Sequence, residues 1–233
     1  MKFVNSKLFF WLKESWLYKY IQPIWRWYFL KKSSRTMKNA KEAIFSLKEL
    51  LDAAGVPFWL DFGTLLGAYR EHNFISYDGD IDIAVPAKYA SQAVDALKGT
   101  KFNNIGQTTV EHLGLTLSSY YFRGVKVDLV FYFKGEATDY CYERKYIQGF
   151  SAKQGDTYKV ALLKVDVPKV SLSKFDFLGR EFCVPSNTED YLVAHYGPNW
   201  RIPDSSFDFE KDAPNVTLIP TEEMYGISTF KQY

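Results

Sequence analysis

The chain has 233 residues, of which 47% are hydrophobic and 24% are charged, as in ordinary globular proteins with a substantial core. Residues 1–35 carry eight basic residues and one acidic residue, whereas the rest of the chain carries 21 basic and 26 acidic residues. The mildly acidic larger part excludes a nucleic-acid-binding surface across it, and two cysteines without metal-site or disulfide spacing favour free thiols in a reducing compartment.

The first 30 residues interleave aromatic and basic side chains and contain four of the six tryptophans. Charged residues and Pro23 interrupt the apolar pieces, so none reaches the ~20 residues that a spanning helix needs. Two interpretations stay open: an amphipathic segment in a membrane interface, or aromatic side chains that pack on the body or another subunit. We therefore expect a basic aromatic arm over residues 1–35 and a single domain over 36–233. The expected location is the cytoplasm, peripheral at the inner face of the membrane if the arm binds lipid.

A helix is predicted from Met37 to Ala54, because apolar residues recur there at helical spacing. Gly55 is placed to end this helix, and Pro57 prevents it from continuing. The short apolar run that follows, Phe58 to Leu60, is predicted to form a strand that closes on Asp61.

Two aspartates separated by one residue occupy the next predicted strand. A glycine turn at Gly63-Thr64 and a helix over TLLGAYR precede this strand, which contains Asp80 and Asp82. Side chains two apart on a strand face the same way, so both carboxylates project together. Neighbouring carboxylates repel each other, and a hard divalent cation with oxygen ligands is the usual way in which a fold offsets that repulsion.

A third carboxylate, Asp128, lies on an otherwise apolar strand that is predicted over residues 125–133. Another strand is predicted over residues 108–122, with a hairpin turn at Arg123-Gly124 between the two. A helix is predicted over KYASQAVDALKG, residues 88–99, with Gly99 as its stop, and residues 140–170 give no clear pattern.

The last third of the chain predicts one more hairpin and one more helix. FDFLGREFCVP has the pattern of a hairpin that turns at Leu178-Gly179-Arg180, and Gly197-Pro198 ends a helix over TEDYLVAHY. From about Pro203 the chain is polar with several prolines, and it is expected to cover the surface.

The three aspartates predict a site for one or two Mg²⁺ ions, or Mn²⁺ in their place, since such ions take a few carboxylates and complete their shell with substrate phosphates. Gly63-Thr64 at a helix start offers backbone N–H groups and a hydroxyl to a phosphate. Arg70 is placed to supply a bidentate phosphate contact, unless the 3.6-residue helical repeat turns its side chain aside.

Of five further residues, all but Asp78 have two interpretations. Asp61 either caps the following helix or contacts substrate, and Asp78 is expected to shape a turn. Lys126 shares a face with Asp128 and meets either a phosphate or an ordinary ion-pair partner. Trp200 stacks on a base or sugar or packs in the core, and His195 is expected to stabilise a helix end rather than act as a base.

Beyond these single residues, LDFGTLLGAYREHNFISYDGDIDIAV over residues 60–85 resembles the hallmark segment of the LicD family, the LicD, fukutin and fukutin-related protein type within the nucleotidyltransferase-fold superfamily. The pattern close to D-x-G-T-L-L-G-x-x-R, followed by F-I-x-x-D-x-D-I-D-I, is present. A second similar piece is YGPNW over residues 196–200, and together the similarities span residues 37–203. One departure is Gly79, where many members carry another acid.

The resemblance implies an α+β nucleotidyltransferase-like fold, with a mixed, largely antiparallel sheet flanked by helices. It also implies transfer of phosphocholine or a pentitol phosphate from a CDP-linked donor to a glycan hydroxyl, the acceptor being a polysaccharide or a lipid-linked saccharide. On this sequence Asp80 and Asp82 would hold the metal, Asp128 would complete the site and accept the acceptor proton, and Gly63-Thr64 and Arg70 would meet phosphate.

Two other functions compete with this one. A true nucleotidyltransferase would use the same carboxylates to attack the α-phosphorus and would release pyrophosphate. A non-catalytic, membrane-associated partner protein would have no reason to keep three crowded carboxylates.

Overall fold

The computed structural model describes residues 39–76, 78–145 and 157–230. The predicted arm over residues 1–35 lies outside the described residues, so its membrane and packing interpretations both stay predictions, as does the division into an arm and a single domain. No helix within the described ranges combines the length and the apolar character needed to cross a membrane.

Within these ranges the chain forms five α-helices and eleven strands. The helices are α1 (Ala40–Ala53), α2 (Phe62–Glu71), α3 (Ala90–Leu97), α4 (Thr188–Tyr196) and α5 (Phe209–Asp212). The strands are β1 (Trp59–Leu60), β2 (Asp80–Pro86), β3 (Asn103–Val110), β4 (Gly114–Phe122), β5 (Val125–Lys134), β6 (Asp139–Lys145), β7 (Thr157–Val167), β8 (Leu172–Phe177), β9 (Arg180–Pro185), β10 (Val216–Ile219) and β11 (Gly226–Phe230).

Nine strands form one sheet in the order β1-β2-β5-β4-β3-β11-β7-β10, and β6 pairs with both β5 and β7. Strands β5, β4, β3, β11, β7 and β6 therefore close into a ring. Each pair in the sheet is antiparallel except β2 with β5, which is parallel. The prediction of a mixed, largely antiparallel sheet with helices is confirmed, whereas the closure of the sheet into a ring was not predicted.

Helix α1 buries one apolar face in the hydrophobic core. Its buried residues are spaced as a helical stripe: Ala40, Ala43, Ile44, Leu47 and Leu51. The helix ends where the sequence predicts, because Gly55 adopts a φ of 64° that other residues rarely tolerate. The main hydrophobic core contains buried residues of α1, α2 and α3 and of the inner strands β2 and β5.

Two hairpin turns form where the sequence predicts them. Arg123 and Gly124 have φ values of 47° and 86° between β4 and β5, and Leu178 and Gly179 have 57° and 83° between β8 and β9. Two consecutive left-handed residues match the right-handed twist of the flanking strands. The predicted single strand over residues 108–122 is wrong, however, because a turn around His112, with a φ of 66°, divides it into β3 and β4.

The chain after Pro203 also corrects a prediction, since it does more than cover the surface. It forms α5, β10 and β11, and β11 lies between β3 and β7 and completes the ring. Ser228 on β11 is fully buried, and its hydroxyl is 2.7 Å from that of Thr108 on β3. Residues 140–170, which gave no clear pattern, contribute most of β6 and all of β7. Both cysteines are free thiols.

Candidate active site

Three aspartates meet on one face of the parallel pair β2–β5. The register places Asp82 beside Asp128 and Asp80 beside Lys126. On β2 the aspartates alternate with the buried Ile81 and Ile83, as the period of two predicts. One carboxylate oxygen from each of the three aspartates lies within 4.8 Å of the others. The convergence that strand alternation predicts is therefore present in the structure.

Lys126 bridges two of these carboxylates. Its ammonium group donates to Oδ2 of Asp80 at 2.8 Å and to Oδ2 of Asp128 at 2.7 Å. Burial alone would lower the pKa of Lys126, but the charges of Asp128 and Asp80 raise it well above its usual value. The ion-pair interpretation of Lys126 thus holds in this structure, and the side chain still lines the cavity described below.

Asp82 has no such partner. Among the described residues none donates a hydrogen bond or contributes an ion pair to its carboxylate. Burial and the charges of Asp80, Asp128 and Asp78 raise the pKa of Asp82 well above its usual value. Burial also opposes ionisation of Asp80, but Lys126 holds the pKa of that carboxyl below its usual value. Lys126 therefore offsets the negative charges of Asp80 and Asp128, whereas no basic side chain among the described residues pairs with Asp82.

A hydrogen bond joins helix α2 directly to β2, the strand that contains Asp80 and Asp82. The backbone N–H of Asp82 donates to Oγ1 of Thr64 at 2.9 Å, and Thr64 is 1% exposed. Thr64 does not line the cavity, so the predicted contact of its hydroxyl with a phosphate is corrected: the hydroxyl positions β2 instead. Gly63 does line the cavity, and a Cβ there would lie 2.0 Å from Oδ2 of Asp78, so any larger residue would displace the Asp78 side chain.

Asp61 also acts on α2 rather than on a substrate. Its Oδ1 accepts the backbone N–H of Phe62 at 2.9 Å and the hydroxyl of Tyr191 at 2.8 Å. The side chain is fully buried, and burial raises its pKa to about 6 against the effect of these hydrogen bonds. Of its two interpretations, the helix cap is therefore correct and substrate contact is not.

Asp78 both shapes the turn before β2 and lines the cavity. Its Oδ1 accepts the backbone N–H of the next residue, Gly79, at 2.8 Å. Burial and the charge of Asp80 raise the pKa of Asp78 to about 7. Asp78 is thus a fourth carboxyl group beside the three-aspartate cluster.

Arg70 and Trp200 lie together on another wall of the cavity. The guanidinium of Arg70 donates to the backbone oxygen of Trp200 at 3.1 Å and forms a 2.6 Å ion pair with Glu71. The Arg70 side chain lines the cavity, so the helical repeat does not turn it aside. Trp200 is 4% exposed and packs beside Tyr69 with the guanidinium of Arg201 over its ring, which supports the core-packing interpretation.

His195 differs from its prediction as a charged residue at a helix end. It is 1% exposed, and burial lowers its pKa to about 3, so the ring is neutral at physiological pH. Its ring packs against those of Phe62 and Tyr191. A neutral imidazole gains nothing from the helix dipole, and His195 is a core residue.

The cluster opens into a cavity of about 840 Å³, within the range of small-molecule sites. Residues that the sequence did not single out complete its walls, above all Glu143 and Arg144 on β6 and Glu210 on α5. Arg144 donates to the hydroxyl of Ser119 at 3.0 Å. The other additions are Phe62, Leu66, Ile75, Leu163, Asn199, Ile202, Pro203, Asp204, Ser205, Phe207 and Phe209.

The cluster has the chemistry of a divalent-cation site. Each of its donors is a carboxylate oxygen, which Mg²⁺ and Mn²⁺ prefer. Oδ1 of Asp128 is buried without a hydrogen-bond partner among the described residues. Orphaned buried acceptors of this kind are costly unless something binds them. These residues therefore fit a bound cation, although which ion binds stays a proposal.

The part of the chain that contains the aspartate cluster is similar to known proteins. Residues 55–187 match the family model described as LicD/FKTN/FKRP, nucleotidyltransferase domain. Proteins named ribitol-5-phosphate transferase FKTN from Macaca fascicularis and Homo sapiens are each 32% identical over 186 residues, and the one from Mus musculus is 31% identical. Each alignment covers 77% of this chain but only 37% of the relative.

Among solved structures, the lincosamide antibiotic adenylyltransferase LnuA with lincomycin bound aligns with a TM-score of 0.39 and 12% identity, over 62% of this chain and 79% of that chain. We draw no conclusion about fold or function from a similarity of this size. The family match covers more than half of the chain, including α2, β2 and β5 with the aspartate cluster. The chain belongs to the LicD/FKTN/FKRP family.

Proposed function

We propose that this protein transfers a pentitol phosphate of the ribitol-5-phosphate type from a CDP-linked donor to a hydroxyl group of a glycan. The observation that carries the proposal is the three-aspartate cluster, with oxygens within 4.8 Å of one another on the wall of an 840 Å³ cavity. The relatives named ribitol-5-phosphate transferase support this choice of phosphorylated alcohol.

The charge of the cavity supports a need for a metal ion. Seven carboxyl side chains and three basic side chains lie among the described residues that line it. A donor diphosphate alone would be repelled by this excess of negative charge. A divalent cation held by Asp80, Asp82 and Asp128 would neutralise the diphosphate and the charge that develops on the leaving phosphate.

The protein's own groups orient the donor. Arg70 and Arg144 present guanidinium groups to the cavity from two different walls, α2 and β6, where they can contact phosphate oxygens. Gly63 lines the cavity at the start of α2, where backbone N–H groups can meet a phosphate. Both features act by positioning and by fixed charge, which supply most of the catalysis in phosphoryl transfer.

The reaction forms one phosphorus–oxygen bond and breaks another. The acceptor oxygen attacks the phosphorus atom next to the pentitol, the bond from that phosphorus to CMP breaks, and CMP leaves with the electron pair. The acceptor hydroxyl loses its proton to a base. Thr64, through the backbone of Asp82, keeps α2 and the cluster in fixed relation during this displacement.

Incubation of the protein with CDP-ribitol and Mg²⁺, with water as a poor acceptor, tests the proposal. We expect slow release of CMP, measured by ion-exchange chromatography, and its abolition by EDTA. Faster turnover of CDP-choline would replace the pentitol by phosphocholine, and release of pyrophosphate from CTP would indicate a nucleotidyltransferase. Absence of CMP from both CDP-alcohols would contradict phosphotransfer.

A further inference from the structure

Glu143 lines the cavity, and the described part of the chain provides no hydrogen-bond or ion-pair partner for it. It lies on β6, it is half-buried, and its side chain lines the cavity. No described residue forms a hydrogen bond or ion pair with its carboxylate. Both neighbours on the strand do have partners, since Arg144 donates to Ser119 and Lys145 pairs with Glu210 at 3.1 Å. Within the described residues, Glu143 is thus a carboxylate without a hydrogen bond or ion pair beside a charged site.

The surroundings of Glu143 keep its carboxyl group basic. Burial, followed by the negative charge of Asp128, raises the pKa of Glu143 to about 7, while Arg144 and Lys126 act in the opposite direction. A carboxylate with such a pKa is close to the optimum for proton transfer at neutral pH. The pKa agrees with the position of the side chain in the cavity.

The three aspartates are poorly suited to take a proton. Asp80 and Asp128 already accept hydrogen bonds from the Lys126 ammonium, and the proposed cation would bind their remaining oxygens. Positive charge next to a carboxylate makes it a weaker base. The base for the acceptor hydroxyl is therefore better sought on a different wall of the cavity, and this differs from the sequence-based expectation for Asp128.

We infer that Glu143 is the general base that takes the proton from the acceptor hydroxyl, a role that rests on the proposed function. As the acceptor oxygen forms its bond to the donor phosphorus, its proton passes to a carboxylate oxygen of Glu143. The phosphorus–oxygen bond to CMP breaks, and CMP departs with the electron pair. The protonated Glu143 then returns its proton to solvent through the open cavity.

CMP release from CDP-ribitol in Mg²⁺, with water as the acceptor, tests this role in the full chain. For Glu143→Gln we expect a fall in kcat of about 100-fold, typical of the loss of a general base, with an unchanged KM for CDP-ribitol. The rise in Tm on addition of Mg²⁺ should equal that of the wild type, since Glu143 is not a metal ligand. The same change at the exposed Glu111, on the β3–β4 turn, should leave kcat unaltered.

Chemical rescue separates a base from a structural residue. Glu143→Ala leaves space in which formate can act as the base, so 0.1–1 M formate, roughly the range that an effective-molarity argument requires, should raise its kcat at least about tenfold. Full activity of Glu143→Gln, loss of its Mg²⁺ response, or a Glu143→Ala defect that formate leaves unchanged would each overturn the inference. A wild type that releases no CMP would overturn the proposed function, and this inference with it.

Discussion

Asp82→Asn is expected to reduce CMP release from CDP-ribitol by more than roughly 10³-fold, because a metal ion contributes several kcal/mol to stabilisation of the transition state. Asp82 is the cluster member without a cation or hydrogen-bond partner among the described residues, so its charge is most available to a bound ion. Asparagine keeps the shape and removes the charge. The measurement is kcat at saturating Mg²⁺ and CDP-ribitol.

The same substitution should not harm the fold. The raised pKa of Asp82 means that the folded protein favours its protonated form. Metal-free wild type therefore loses stability as the pH rises from the ordinary aspartate pKa of about 4 towards the raised value. Asp82→Asn removes this loss, so its free energy of unfolding in EDTA at pH 8 should equal or exceed that of the wild type.

Asp52→Asn is the matched control, because Asp52 is exposed on α1 and pairs only with Lys48 within the described residues. Its turnover and its Mg²⁺ response should match the wild type. If Asp82→Asn were as active as the wild type at saturating Mg²⁺, the metal role of the cluster would be refuted. If it were unfolded instead, the argument from charge repulsion would be refuted.

Lys126→Met is expected to destabilise the metal-free protein by about 2–3 kcal/mol, because it removes the ammonium group that pairs with both Asp80 and Asp128. This loss of stability is at the low end of what breaking a buried ion pair costs, because the Lys126 side chain is 30% exposed. Mg²⁺ should recover more stability in this variant than in the wild type, because the ammonium no longer competes for Asp80 and Asp128. Urea unfolding with EDTA and with 10 mM Mg²⁺, a concentration of order 100 times a typical ~0.1 mM Kd, measures both effects.

Lys134→Met provides the comparison on the same strand. Lys134 pairs with the buried Asp139, which keeps a second lysine partner, Lys169, at 3.3 Å. It lies outside the cavity lining, so Mg²⁺ should affect Lys134→Met as it affects the wild type. An equal Mg²⁺ response in Lys126→Met and Lys134→Met would show that the ammonium of Lys126 does not compete with the ion.

Sequence reasoning located the aspartate cluster because two strong regularities coincide there. The period of two places Asp80 and Asp82 on one face, and the apolar strand around Asp128 is the natural neighbour of β2 in the core. The parallel register that brings Asp82 beside Asp128 is a tertiary fact that no local pattern contains. The resemblance to the family implied only that Asp128 completes the site, and the structure shows the register that brings it there.

The roles of Thr64 and Asp61 were harder to predict, since both are short polar residues at a helix start. Such residues bind either the nearby backbone or a ligand, and only burial distinguishes the two. Asp61 is fully buried, and Thr64 is 1% exposed. Both therefore serve the local backbone, at Phe62 and at Asp82.

Neither the site role of Glu143 nor the strands after Pro203 were predicted, for a different reason. Strand β6 buries Tyr142 and Cys141 on successive positions, so its sequence lacks the alternation that identifies a half-buried strand. Strand β11 has five residues and gains its burial only by pairing with β3 and β7, which are distant in sequence. Short strands that depend on such pairing carry little local signal.

The most direct test of the metal site is the anomalous difference density of crystals grown with Mn²⁺ and CMP. The account predicts a peak roughly 2.1 Å from carboxylate oxygens of Asp80, Asp82 and Asp128, the distance typical of such ions. It also predicts that this peak is absent from crystals of Asp82→Asn. A manganese peak elsewhere in the cavity, with the three aspartates unliganded, would contradict the account.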